Sequence, residues 1–258
     1  MRTSFLLFVC FLSVFAASSQ TEKELSSLSF DAIRDTIHAY RFTASEKSLT
    51  AGKAYVLKAQ KEGDKENEWL GMESIALHYV RSRDYKSAHD QALKTLAFAR
   101  SHKLRKLELR ALVFLGDLQI LVTSAKEQLA YYNELLELAE AYGIDEYREA
   151  AFNKIATIMD ISGDTKKALA IRKRTLAYYK DKPLDSTFTQ KDKNNVVMYS
   201  YSSLGGTYML AKQLDSAKII ASRVKGFLSK EIDSCNAAYL YLLEAEIAFK
   251  ENNFKLAK

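Results

Sequence analysis

The stretch Tyr201-Ser202-Ser203-Leu204-Gly205-Gly206-Thr207-Tyr208, followed shortly by Leu214-Asp215-Ser216-Ala217, decides how this chain is built. Tyr201, Leu204 and Tyr208 recur every three or four residues, the spacing of a helix with one buried face. Gly205 lies on that face, and Ala217 follows it by 12 residues, past a short turn. A small side chain on each side of the turn lets two antiparallel helices cross closely.

The same arrangement returns along the chain. Asp84-Tyr85-Lys86-Ser87-Ala88, Asp164-Thr165-Lys166-Lys167-Ala168 and Phe254-Lys255-Leu256-Ala257 repeat the turn and its alanine. The alanines at 88, 168, 217 and 257 lie 80, 49 and 40 residues apart. Halving the first interval predicts a copy centred on 128, where Ala125-Lys126-Glu127-Gln128 precedes Tyr131-Tyr132-Asn133-Glu134-Leu135-Leu136. The unit is therefore 40 residues, with an insertion of nine before the fifth copy. A small residue (Ala76, Gly116, Ala156, Gly205, Ala245) precedes each post-turn position by 12. Recurrence at a fixed period is the mark of a repeat architecture, in which each unit buries its apolar face against its neighbours.

These units resemble the tetratricopeptide repeat (TPR), whose pattern is a large apolar residue, Leu-Gly, Tyr, a Gly-Asp-Tyr turn and Ala. Residues 201–208 and 214–217 match best, and Gly163-Asp164 and Asp84-Tyr85 match the turn. Gln128, Gln119 and Glu244 depart from the pattern where Ala, Tyr and Leu stand in the family. The period is also 40 rather than about 34, which predicts helices longer by about a turn at 3.6 residues per turn. The resemblance implies an all-α fold of the α-α superhelix class, a solenoid of antiparallel helix hairpins. The domain reading is residues 1–19 as a leader, 20–67 as an N-terminal capping helical unit and 68–258 as TPR-like repeats. The repeat units fall near 69–107, 109–147, 149–180, 198–230 and 238–258, the last one incomplete. Residues 180–197 hold the insertion and the one proline, Pro183, and read as a surface loop.

Composition agrees with that frame. Nine glycines and one proline in 258 residues exclude collagen-like, propeller and loop-rich disulfide folds. The net charge of +6 comes from 38 basic and 32 acidic residues mixed along the chain. Clusters such as Lys103, Arg105, Lys106, Arg110 and Arg172, Lys173, Arg174 read as solvated helix faces, so no nucleic acid is expected as partner of this segment. The N-terminus, MRTSFLLFVCFLSVFAASS, has the order of a secretory signal: Arg2, an apolar run from Phe5 to Ala17, then small residues. Cleavage after Ser18 or Ser19 would export the chain to a periplasm or the exterior and leave one cysteine, Cys235, without a disulfide partner. A membrane contact is expected only through an anchor following Lys258.

Nothing in the sequence spells a catalytic centre. His38, His78, His89 and His102 form no metal-binding spacing, so no metal or cofactor is expected. Gly205-Gly206-Thr207 and Gly163-Asp164-Thr165-Lys166 lack the eight-residue phosphate-loop pattern. Acidic pairs such as Glu146 and Glu149 read as helix-surface charges. The expectation is a non-enzyme that works through its surface.

The TPR resemblance implies which surface: a groove lined by the first helix of each unit. Counting by phase places Arg110, Val113 and Asp117 in it from unit three, and Asn153, Thr157 and Asp160 from unit four. Unit five supplies Tyr199, Ser202, Gly206 and Met209, and unit six Tyr239 and Glu246. Such a polar and aromatic lining suits an extended peptide or a partner's helix. The leader together with degenerate 40-residue repeats resembles the exported part of membrane-anchored TPR/helix-turn-helix regulators of Gram-negative bacteria. That resemblance implies the sensor half of a signalling or transcription regulator. The alternative is a secreted or periplasmic assembly scaffold without a signalling role.

Overall fold

The computed structural model describes residues 21–40, 42, 46–122, 125–227 and 234–251. The proposed leader, residues 1–19, and the end of the sixth unit, residues 252–258, lie outside the described residues. Twelve helices are present among the described residues: α1 (Glu22–Ser26), α2 (Phe30–Tyr40), α3 (Glu46–Glu62), α4 (Lys65–Arg81), α5 (Tyr85–Ser101), α6 (Arg105–Val122), α7 (Ala125–Tyr142), α8 (Asp145–Ile161), α9 (Thr165–Asp181), α10 (Gln190–Leu210), α11 (Leu214–Lys225) and α12 (Ser234–Lys250). No β-strand occurs among them, and Asp185 and Phe188 form an isolated bridge. The chain divides after Val122 into two compact units.

A single turn design ends six of the twelve helices. Gly63, Arg83, Lys103, Gly143, Gly163 and Lys212 take positive φ, from 57° to 87°. The amide of the next residue then reaches back five residues: Asp84 N to Tyr79 O and Asp164 N to Met159 O, at 3.0 and 2.8 Å. This is the hydrogen bonding of a Schellman motif, which satisfies carbonyls left over at a helix end. Asp64, Asp84 and Asp164 then cap the following helix, each accepting from the backbone N–H three residues on. The helices from α3 to α9 are 17 or 18 residues long, as the lengthened repeat predicts. The turn residues at 63, 83, 103, 143 and 163 expose a finer period of 20, one helix and one turn. Three of these five positions are glycine and the others are Arg83 and Lys103, so residue type does not mark the half-period consistently.

In the N-terminal unit each helix from α3 to α6 packs on the one before it, and α1 packs on α3. Leu25, Ile33, Ala51, Ala54 and Tyr55 form one buried cluster. Trp69 is fully buried and donates its indole N–H to Thr95 O at 3.1 Å. Gly71 lets α4 sit against α3: a Cβ there would lie 2.7 Å from Val56 Cγ2 and 2.9 Å from Val56 N. Glu68 and Glu108, 40 residues apart, are both buried, and each accepts from the residue eight positions earlier, Gln60 and Arg100.

The C-terminal unit holds α7 to α12. Its main cluster joins Leu169, Leu176, Met198, Tyr201, Leu204, Ala217, Val224, Leu240 and Leu243. The crossing positions expected from sequence are buried, Ala156, Ala168 and Ala217 among them. Gly205 is closed from two sides, since a Cβ there would lie 2.5 Å from Leu243 Cδ2 and 3.2 Å from Ile220 Cγ2. The insertion is shorter than the expected loop over 180–197. Thr189 and Asp192 form a capping box, so α10 begins at Gln190 and runs for 21 residues. The irregular part, 182–189, is tied down by Asp185 Oδ1, which accepts from Thr187 N and Phe188 N, and by burial of Phe188.

Candidate functional site: a cleft between α8, α10 and α12

Three first helices of successive hairpins, α8, α10 and α12, border a cleft of about 810 Å³ in the C-terminal unit. The helical period brings Thr157, Asp160 and Ile161 to one side of α8 and Ser203, Gly206, Met209 and Leu210 to one side of α10. Helix α12 adds Ala245, Glu246, Phe249 and Lys250. Ile161, Leu210 and Phe249 are 76%, 58% and 61% exposed. Scattered apolar side chains on a surface need no explanation, whereas several around one concavity make a patch suited to contact. Gly206 leaves bare backbone in this wall, where a Cβ would meet nothing within 4 Å.

The polar part of the cleft is built around Arg172, which comes from α9 and is buried. Its Nη2 donates to Asp160 Oδ2 at 2.9 Å and to Thr157 Oγ1 at 3.2 Å. Its Nε donates to Thr207 Oγ1 at 2.7 Å, and Thr207 Oγ1 donates to Asp160 Oδ2 at 2.8 Å. Only 6% of the Arg172 side chain and 7% of the Asp160 side chain are exposed. Two opposite charges so far out of water must neutralise each other. Asp160 Oδ1 has no hydrogen-bond partner.

The residues expected in the groove are distributed as follows. Thr157, Asp160, Gly206, Met209 and Glu246 come together in the cleft. Asn153 donates its side-chain amide to Glu149 O at 3.2 Å, and Ser202 is buried with an unpartnered Oγ. Tyr199 and Tyr239 meet edge to face at 5.5 Å between centroids, both partly exposed. Arg110, Val113 and Asp117 belong to the other unit, on α6. Val113 and Asp117 are half-buried. Arg110 clasps Glu73 with two hydrogen bonds, Nε to Oε1 at 2.7 Å and Nη2 to Oε2 at 2.6 Å. Its guanidinium also lies 5.5 Å from the Trp69 ring centre. Burial pushes the Glu73 carboxyl up from its ordinary pKa, and Arg110 only partly offsets this.

Two charge readings are corrected. Arg172 is an interior residue, and Arg174 lies 3.6 Å from the Phe152 ring centre and donates to Glu149 Oε1 at 2.7 Å. Glu149 is not a surface charge: it is fully buried and also accepts from Thr175 Oγ1 and Arg148 Nε. A charged residue on a helix gives no sequence sign of whether a partner on the next helix carries it inward. Arg172, Thr207, Ile161, Leu210 and Phe249 were therefore not legible as site residues. Among the described residues, no group of three His, Cys, Asp or Glu is placed to hold a metal, and no helix is long and apolar enough to cross a membrane.

No family model matches the sequence, and no curated protein matches it. Solved structures do match its fold. BtubC (BKLC) from P. vanneervenii is similar with a TM-score of 0.64 at 14% identity, covering 88% of this chain and 87% of that one. The STAND protein PH0952 from Pyrococcus horikoshii, with a tetratricopeptide repeat sensor, gives 0.63 at 17% identity, covering 94% of this chain but 36% of that one. The apo quorum sensor NprR from B. thuringiensis gives 0.57 at 15% identity, with 88% and 62% covered. NprR in complex with its cognate peptide NprX gives 0.58 at 15% identity, with 99% and 72% covered. At these identities the likeness is one of fold. The chain is an all-α protein of the TPR-like helical-repeat class. Its structural neighbours are TPR proteins.

Proposed function

We propose that this chain is a non-catalytic protein- or peptide-binding scaffold whose recognition surface is the cleft between α8, α10 and α12. The observation that carries the reading is the exposure of Ile161, Leu210 and Phe249 around one concavity of about 810 Å³. A surface with these apolar groups gains by covering them, at roughly 25 cal/mol per Å² of apolar area removed from water. The helical-repeat fold supports the reading, because stacked hairpins present their first helices as binding surfaces. NprR, a neighbour in fold, was solved with its peptide NprX. The order of residues 1–19 supports export, and with export a place as the sensor half of a regulator outside the cytoplasm.

Selection of a displayed random peptide library against the purified protein tests this. Peptides that bind the parent protein should lose at least tenfold in affinity, about 1.4 kcal/mol, when Leu210→Asp or Phe249→Asp charges the rim. They should bind Lys180→Ala, on the outer helix α9, unchanged. Selected peptides that ignore both rim changes overturn the proposal.

A further inference from the structure

We infer that the cleft between α8, α10 and α12 takes an uncharged, apolar peptide segment of a partner, whose backbone amide completes the Asp160–Arg172 pair. The inference rests on the reading of this cleft as the recognition surface and specifies the chemistry of its occupant.

Asp160 and Arg172 are the buried ions of the cleft, and they neutralise each other at 2.9 Å. A charged group arriving beside them would lose its hydration and meet no unmatched countercharge, which is costly. Lys212, Glu246 and Lys250 also border the cleft, but they are solvent-exposed and of mixed sign. Exposed pairs of that kind contribute little and are screened by salt.

Hydrogen-bonding capacity points the same way. Asp160 Oδ2 accepts from both Arg172 and Thr207, while Oδ1 of the same buried carboxylate has no partner. Arg172 uses Nε and Nη2, and the guanidinium carries five N–H donors in all. The Asp160 carboxylate therefore keeps one unused acceptor oxygen, and the two N–H groups of Arg172 Nη1 are unused. A peptide unit offers the complementary N–H and C=O without adding charge. The wall beside them suits close approach of a backbone, because Gly206 has no side chain and its Cβ position is open. Ile161, Leu210 and Phe249 around the opening are the apolar surface that the segment's side chains would cover.

Three pools of fluorescently labelled octapeptides, acetylated and amidated, test this by anisotropy: one apolar and uncharged, one acidic, one basic. The probes are added to the purified protein, to Gly206→Phe, which fills the cleft from an open position, and to Phe249→Ser. Far-UV circular dichroism verifies that each variant melts as the parent does. The apolar pool should bind at least tenfold tighter than either charged pool. Its affinity should hold between about 0.05 and 0.3 M salt. Gly206→Phe and Phe249→Ser should each weaken it about tenfold. A charged pool that binds best and is lost in Gly206→Phe overturns the chemistry assigned here and leaves the cleft standing. Pools that bind equally well to parent, Gly206→Phe and Phe249→Ser overturn the cleft itself.

Discussion

Three glycines inside helices separate packing from propensity, and replacing each by alanine tests the fold quantitatively. In a helix interior alanine is favoured over glycine by about 1 kcal/mol, so the change stabilises wherever a methyl group fits. At Gly206 a Cβ meets nothing within 4 Å, and Gly206→Ala should add about 0.5–1 kcal/mol. At Gly205 the Cβ lies 2.5 Å from the end of the Leu243 side chain and 3.2 Å from Ile220. Leu243 can rotate, at a repacking cost of about 1–2 kcal/mol, so Gly205→Ala should come out near neutral or slightly destabilising. At Gly71 the Cβ lies 2.9 Å from the backbone nitrogen of Val56, and a helix has to move. Overpacking of about 3 kcal/mol then exceeds the propensity gain, for a net loss of about 2 kcal/mol. For a chain of this size that is a fall of roughly 4–8 °C in melting temperature. Thermal melts followed at 222 nm give the order Gly206→Ala, Gly205→Ala, Gly71→Ala from most to least stable. A Gly71→Ala protein as stable as Gly206→Ala would refute the close crossing of α3 and α4.

Arg110→Ala should destabilise the N-terminal unit by about 1–3 kcal/mol at neutral pH, because it leaves buried Glu73 without its partner. The Glu73 pKa is already raised in the folded protein, and losing Arg110 raises it further. The penalty is therefore full above the folded pKa and shrinks as pH falls through it toward the ordinary carboxylate value. Urea midpoints with the same deficit at pH 7 and near that lower value would contradict this sign. Asp64→Ala should cost about 1 kcal/mol through loss of the α4 cap at Asn67 N, and Asp64→Ser should recover most of it. Equal urea midpoints for the two variants would remove the cap from the account.

Much of the fold was legible because close helix crossings demand small residues, and small residues at a fixed spacing survive even where the rest of a repeat has drifted. Ala88, Ala168 and Ala217 gave the period, and all three are buried against a neighbouring helix. The half-period stayed hidden because a Schellman turn is defined by backbone hydrogen bonds, and Arg83, Lys103 and Lys212 occupy the left-handed position as Gly163 does. The extended start of α10 could have been read from Thr189 and Asp192, whose spacing is that of a capping box. The cleft was legible only in part. Helical phase named Thr157, Asp160 and Met209, since it says which side of a helix a residue occupies. It is silent on Arg172, which reaches the same place from a second helix because Asp160 and Thr207 offer it acceptors there.

The most direct test of the recognition surface is a methyl-labelled NMR titration of the protein with the uncharged apolar octapeptide pool. Ile161 and Leu210 stand at the cleft, whereas Ile219 stands exposed on the outer helix α11, so each reports on one surface. Saturable shifts of the Ile161, Met209 and Leu210 methyl signals are expected, with Ile219 unmoved. Shifts at Ile219 with Ile161 and Leu210 unmoved would place recognition on the outer helices and contradict a recognition surface in the cleft.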